Sequence, residues 1–204
     1  MPGCCDIDWS PDQMLERQRG TLRIVLAINA LMFLVIAGAS YYSRSSALLA
    51  DSLDNLGDAL TYGLSLYAVF KGTAVKARVA VFKGVLIFLA ALVVIFQVAY
   101  RLFYPGVPVF EVMGIFSLVG LAANSVCLLL LWRHRHEDVN MSSVWECSRN
   151  DMASNISVFV AAGAVWLTGS GWHDIVVALG LALLLMRSSI RVISTALTEL
   201  RAAT

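Results

Sequence analysis

The sequence predicts an all-α, polytopic membrane protein: a bundle of six transmembrane helices. Three observations carry this. Hydrophobic residues make up 59% of the 204 residues and charged residues only 14%, against roughly 45–50% and about 25% in soluble domains; mean hydropathy is +0.76. The apolar residues gather in six windows, each close to the ~20 residues that cross a bilayer as a helix. None of the windows alternates with period two, which favours helices over a barrel. A formal charge of +1 offers nothing to a polyanion. Disorder, nucleic-acid binding and an ordinary soluble enzyme are excluded on composition.

Residues 1–20 read as a cytoplasmic N-terminal segment, 21–200 as the six-helix domain and 201–204 as a tail. Ser10-Pro11-Asp12-Gln13 has the order of an N-cap, a proline at the first helical position and a glutamine three residues on. It begins a short helix leading into the first window, 24–41. A competing reading takes residues 17–23, the apolar stretch and Ala37-Gly38-Ala39 as a cleavable signal; it leaves five spans and divides the charge bias described below. The second window, 46–70, ends at Lys71-Gly72-Thr73. The third, 84–103, is separated from the fourth, 110–132, by Pro105-Gly106-Val107-Pro108. A charged loop precedes the fifth, 144–168, and Gly169-Ser170-Gly171 separates it from the sixth, 172–190.

Lysine and arginine set the orientation. Arg17, Arg19, Arg23, Lys71, Lys76, Arg78, Lys83, Arg133, Arg135, Arg149, Arg187, Arg191 and Arg201 fall on one side of the six-span arrangement; only Arg44 and Arg101 fall on the other. Both termini are therefore expected in the cytoplasm. Cys4, Cys5, Cys127 and Cys147 lie outside the sparsely basic loops, so no disulfide framework is expected.

Ionisable groups at membrane depth cost about 2.5–3.5 kcal/mol on insertion scales and are candidates for function. Asp6, Asp8, Asp12 and Glu16 precede the first window, Glu137 and Asp138 occupy a loop, and Glu111, Asp174 and Glu199 stand at span ends. Asp51, Asp54, Asp58 and Asp151 have no such escape. Asp54 and Asp58 are spaced i, i+4, one turn apart on one helix face, and Asp51 sits near the edge of that face. Two unpaired carboxylates so close repel and titrate as a pair; a divalent cation removes the repulsion. In the fifth window Cys147 and Asp151 repeat the spacing and Asn155 extends the stripe. A thiolate and a carboxylate facing two carboxylates make a four-donor set that suits zinc, and the sulfur favours soft or borderline metals. The plainer readings are that Asp51 bonds a polar side chain on another helix, that Arg149 neutralises Asp151, and that Cys127 and Cys147 fill space as small apolar groups.

The stretch from Ser45 through Ala50-Asp51-Ser52-Leu53-Asp54-Asn55-Leu56-Gly57-Asp58 resembles the second-span signature of the cation diffusion facilitator family. Asn29 and Asn124 are similar to its recurrent polar positions, and residues 148–200, with Gly169-Ser170-Gly171-Trp172-His173-Asp174, are similar to its last two spans. The resemblance implies a transporter, not an enzyme, moving zinc, with cadmium and cobalt as further candidates, out of the cytoplasm in exchange for protons. It implies Asp54, Asp58, Cys147 and Asp151 as metal ligands. The metal is cargo rather than cofactor, and the remaining partners are protons, the lipid bilayer and a second copy in a homodimer. Nucleic acid is not a partner. The implied location is the inner cell membrane, crossed several times.

Cys147 departs from the family's usual His or Asp. Lys83-Gly84 resembles a remnant of its third-span entry, without the surrounding His and Glu. The chain stops at Thr204, before the cytoplasmic metal-binding domain of most members, and so resembles forms consisting of the membrane part alone. His134 and His136, with Glu137 and Asp138, and separately Cys4-Cys5-Asp6, are candidates for passing metal inward. Two other classes remain open: a membrane-embedded thiol oxidoreductase, for which no Cys-x-x-Cys stands in the chain, and a metal-binding membrane subunit that does not transport.

Overall fold

In a computed structural model, six helices form among the described residues: α1 Glu16–Ser43, α2 Ser46–Ala68, α3 Thr73–Phe103, α4 Phe110–Trp132, α5 Val139–Thr168 and α6 Trp172–Ala202. The structure describes residues 16–68, 73–132 and 139–202, with the backbone alone at 16–19, 65, 68, 73–76, 139–149, 199 and 202. The all-α bundle expected from sequence is what forms. The fourth window matches its helix residue for residue. Helices α1, α3, α5 and α6 run further than their windows at the end that carries the termini. Hydropathy ends at the first charged residues, whereas Lys, Arg, Ala and Glu keep a helix going. The capping sequence at residues 10–13 lies outside the described residues.

Among the described residues, five helices are long and apolar enough to cross a membrane: 20–43, 77–103, 110–132, 150–168 and 172–198. Helix α2 is not among them, because it carries three acids, Asp51, Asp54 and Asp58, within two turns. Its place in the bundle explains how it tolerates them. It packs against α1, α3, α5 and α6, so protein rather than lipid surrounds most of its length.

The helices associate as α1 with α2, α4 with α5, and α3 with α6. The apolar core runs through Met32, Ile36, Leu48, Val94, Met113 and Val158. Glycines set two close approaches. A Cβ on Gly84 would stand 2.6 Å from Ile193 Cγ1, so α3 and α6 can meet only with glycine there. A Cβ on Gly120 would collide with the Asn155 carboxamide oxygen, which brings α4 against α5.

The turn end, where residues 44–45, 104–109 and 169–171 lie, is tied by hydrogen bonds. Ser45 is the N-cap of α2, its Oγ accepting from Leu48 N–H at 3.0 Å. Asp174, on the first turn of α6, accepts from the backbone N–H groups of Ser46 (2.8 Å) and Ala47 (3.0 Å) and from the Ser45 hydroxyl. One carboxylate thus satisfies the first two free donors of another helix and stands against its positive end. Arg101 lies within electrostatic range of Asp174. The sequence put Asp174 at a span end, correctly; its burial, at 1% exposed, is a tertiary result. Gly169, with φ of 63°, ends α5 in the left-handed conformation and donates to Val165 O at 2.8 Å.

Candidate metal site between the second and fifth helices

Asp51, Asn55, Asp58 and Tyr62 follow one another on α2 at spacings of four, three and four, and all are buried. This stripe faces α1, α4 and α5: Tyr62 packs with Val25 of α1 and with Cys127 and Leu131 of α4. The opposite face, at Gly57, touches Ile87 of α3.

The Asp58 side chain meets that of Asp151 across the α2–α5 contact. The two acids that the i, i+4 spacings singled out on separate helices are therefore neighbours. Two carboxyl groups in contact must share a proton or a cation, because bare carboxylates repel. Tyr62 OH donates to Asp58 Oδ2 at 3.1 Å. Asp54, half-buried, lines a cavity of about 400 Å³ with Gly57, Asp58, Asp151, Ser154 and Arg191. That cavity reaches exposed Asn150 and Arg187, towards the end that carries the termini.

Of the four residues read from sequence as ligands, the structure brings Asp54, Asp58 and Asp151 to one cavity. Cys147 lies on α5, one turn before Asp151, and its side chain is outside the described residues. Among the described residues no three His, Cys, Asp or Glu side chains stand close enough together to hold a metal ion. The acids are gathered but not drawn into a cage, as expected of like charges. Cys4, Cys5, His134, His136, Glu137 and Asp138 fall outside the described residues. Cys127 is buried in an apolar cluster, in keeping with the space-filling reading. Asp51 is 1% exposed, and its Oδ2 has no hydrogen-bond partner among the described residues, so the polar partner considered from sequence is not found there.

Sequence reasoning missed Lys83. Counted with the basic residues of the terminal end, it is instead 2% exposed on α3 and lies within electrostatic range of Asp58. A buried lysine needs a nearby anion, and its place four residues before Ile87 on the face towards α2 could have raised the question. Tyr62 was also missed, although it stands one turn beyond Asp58.

A multi-helix membrane bundle with acids gathered at mid-depth between two helices is the architecture of an ion carrier. A family profile for the cation efflux transmembrane domain matches residues 22–201, and the chain belongs to that family. It is similar to the metal cation efflux system protein CzcD of Cupriavidus metallidurans, 26% identical over 194 residues covering 85% of this chain and 61% of that protein. It is also similar to the zinc transporter ZitB of Yersinia pestis, 25% identical over 196 residues covering 88% of this chain and 62% of that protein. The chain thus spans about three-fifths of the length of these curated relatives.

Proposed function

We propose that this chain carries a divalent metal cation, zinc first, out of the cytoplasm in exchange for protons, with Asp54, Asp58, Cys147 and Asp151 as ligands. The observation that carries the reading is the meeting of Asp58 with Asp151 beside the cavity that Asp54 also lines. One proton suffices to hold the two carboxyls together; a divalent ion entering from the cavity replaces it and adds bonds to oxygen. Binding therefore releases protons, and protons arriving from the other side expel the ion. Cys147, one turn from Asp151, adds a sulfur donor and tilts the choice toward zinc and cadmium.

The basic-residue asymmetry puts the terminal end in the cytoplasm of a cell whose inner membrane the chain crosses. In that orientation the cavity is open inward and the Asp174 hydrogen bonds close the outer end. Helix pairs rocking about the mid-depth acids would exchange the two. The domain division at residues 21–200, and a homodimer in the membrane, belong to the same reading. The names of CzcD and ZitB support metal and zinc as cargo.

The test is zinc movement in vesicles of reconstituted protein, with a zinc-sensitive dye inside. Parental protein moves zinc and Asp58→Ala and Asp151→Ala do not; parental rates in either variant overturn the site. A chain that binds zinc by calorimetry and moves none is the non-transporting subunit.

A further inference from the structure

The cavity that holds the acids also holds charge of the sign that repels a cation. Asp54 and Asp58 of α2 and Asp151 of α5 line it, and so do Arg187 and Arg191 of α6. A guanidinium keeps its positive charge throughout the physiological pH range and lowers the affinity of any metal ion beside it. Arginines near the charged end of a span normally extend to water, and Arg187, which is exposed, has that route. Arg191 is half-buried. Leu181, Leu185, Ser188 and Arg191 stand at spacings of four, three and three on α6 and all line the cavity. Arg191 therefore belongs to the face of α6 that is turned inward on the acids.

Two close approaches give its depth. Gly84 of α3 meets Ile193 of α6, and Ile87 of α3 meets Gly57 of α2. Because α3 and α6 are antiparallel, residue 191 stands about level with residue 86 of α3, next to Ile87, and so at the depth of Gly57 and Asp58. Ala91 and Leu185, which share a cluster with Ile87, keep the same register. Val192 and Ala196 pack on Ala80, which pins this stretch of α6 to α3. Lys83, buried beside Gly84, adds a further cation within electrostatic range of Asp58. Around the cavity the charges are thus divided by helix, with the acids on α2 and α5 and the cations on α3 and α6. One shared proton accounts for Asp58 with Asp151. Asp54 adds a further negative charge, and a partly buried anion is stable only beside a cation.

We propose that the Arg191 guanidinium is a tethered counter-ion: in the empty protein it balances the charge of Asp54, and cargo binds only by displacing it. The proposal rests on the metal site described above and gives α6 a part in selecting the cargo. A sodium or potassium ion brings no more charge than the guanidinium already supplies, and it must also shed water, so it does not exchange. A divalent ion brings twice the charge and takes the acids. The displaced side chain then turns toward the exposed end of the cavity, where Asn150 stands.

The experiment reads zinc binding by the full chain in lipid nanodiscs, by calorimetry, and needs no transport. Arg191→Gln is expected to bind zinc about tenfold more tightly than the parent, because a unit charge is removed from beside a doubly charged ion. Arg191→Lys keeps the charge and returns the affinity to within about threefold of the parent. Replacing N-methylglucamine by potassium at equal ionic strength should leave parental zinc affinity unchanged and weaken that of Arg191→Gln about threefold or more, since potassium now competes. A purely structural ion pair gives the reverse: Arg191→Gln binds zinc no more tightly than the parent, or potassium makes no difference to it, and either result overturns the proposal. A second measurement needs no variant. Phenylglyoxal labelling of Arg191 in the parent, read by mass spectrometry against exposed Arg78, is expected to rise about threefold or more when zinc is added, as the guanidinium is released. Unchanged or lower labelling in a parent that binds zinc overturns the counter-ion and leaves the metal site standing. A parent that binds no zinc overturns both.

Discussion

Asp174 and Asp51 are both about 1% exposed, yet they live in opposite surroundings. Asp174 accepts from two backbone N–H groups and a hydroxyl at the start of α2, and Arg101 stands near it. These three bonds and Arg101 favour a charge that stays in place, against the cost of its burial. Asp51, inside the same helix, has an oxygen with no hydrogen-bond partner among the described residues. Two turns further on, Asp58 meets another acid. Burial alone therefore does not separate a structural carboxylate from a functional one; the completeness of its donors does. The turn end is a finished joint between α1, α2 and α6. The mid-depth region instead brings Asp58 against Asp151 and leaves Asp51 Oδ2 without a hydrogen-bond partner among the described residues.

The comparison can be broken by substitution. The largest effect is expected at the mid-depth acids, where Asp58→Ala and Asp151→Ala each lower zinc transport in vesicles about a hundredfold or more, equivalent to the several kcal/mol of a broken buried pair. Next is Asp174→Ala, which removes three bonds to one carboxylate. Stability should drop by roughly 3 kcal/mol, seen as a fall of several degrees in Tm in detergent, while zinc binding by the folded fraction persists. If Tm holds, the joint is ornamental. Asp51→Asn should act in the opposite sense, raising stability by about 1–2 kcal/mol because it removes a charge that lacks a full set of donors; a lower Tm would mean that Asp51 is as well bonded as Asp174. Tyr62→Phe is the mildest. Loss of its bond to Asp58, worth about 1 kcal/mol, should weaken zinc binding about fivefold in calorimetry and leave Tm nearly unchanged.

Much of this protein could be read from residue order. The helix count follows from apolar length, and 110–132 needed no correction because Pro108 and the arginine at 133 bracket it. Asp54, Asp58 and Asp151 stood out because carboxylates in apolar windows are costly and their spacing put Asp54 and Asp58 on one face. Lys83 did not stand out. A lysine near the charged end of a span normally reaches water, and only the packing of α3 on α2 shows that this one does not. Asp174 gave no warning either, since an acid in the first turn of a helix is ordinary. Its second task, capping α2, joins residues more than a hundred positions apart.

Sequence by itself determined the class, the six helices and which acids had to be explained, because hydropathy and helical spacing are local and survive without knowledge of neighbours. Tertiary structure alone decided which of those acids meet, which is satisfied, and that α2, with its three acids, packs against four others. The reason is that the charge and hydrogen-bond balance of a buried group depends on side chains from other helices, and their positions are set only when the bundle packs.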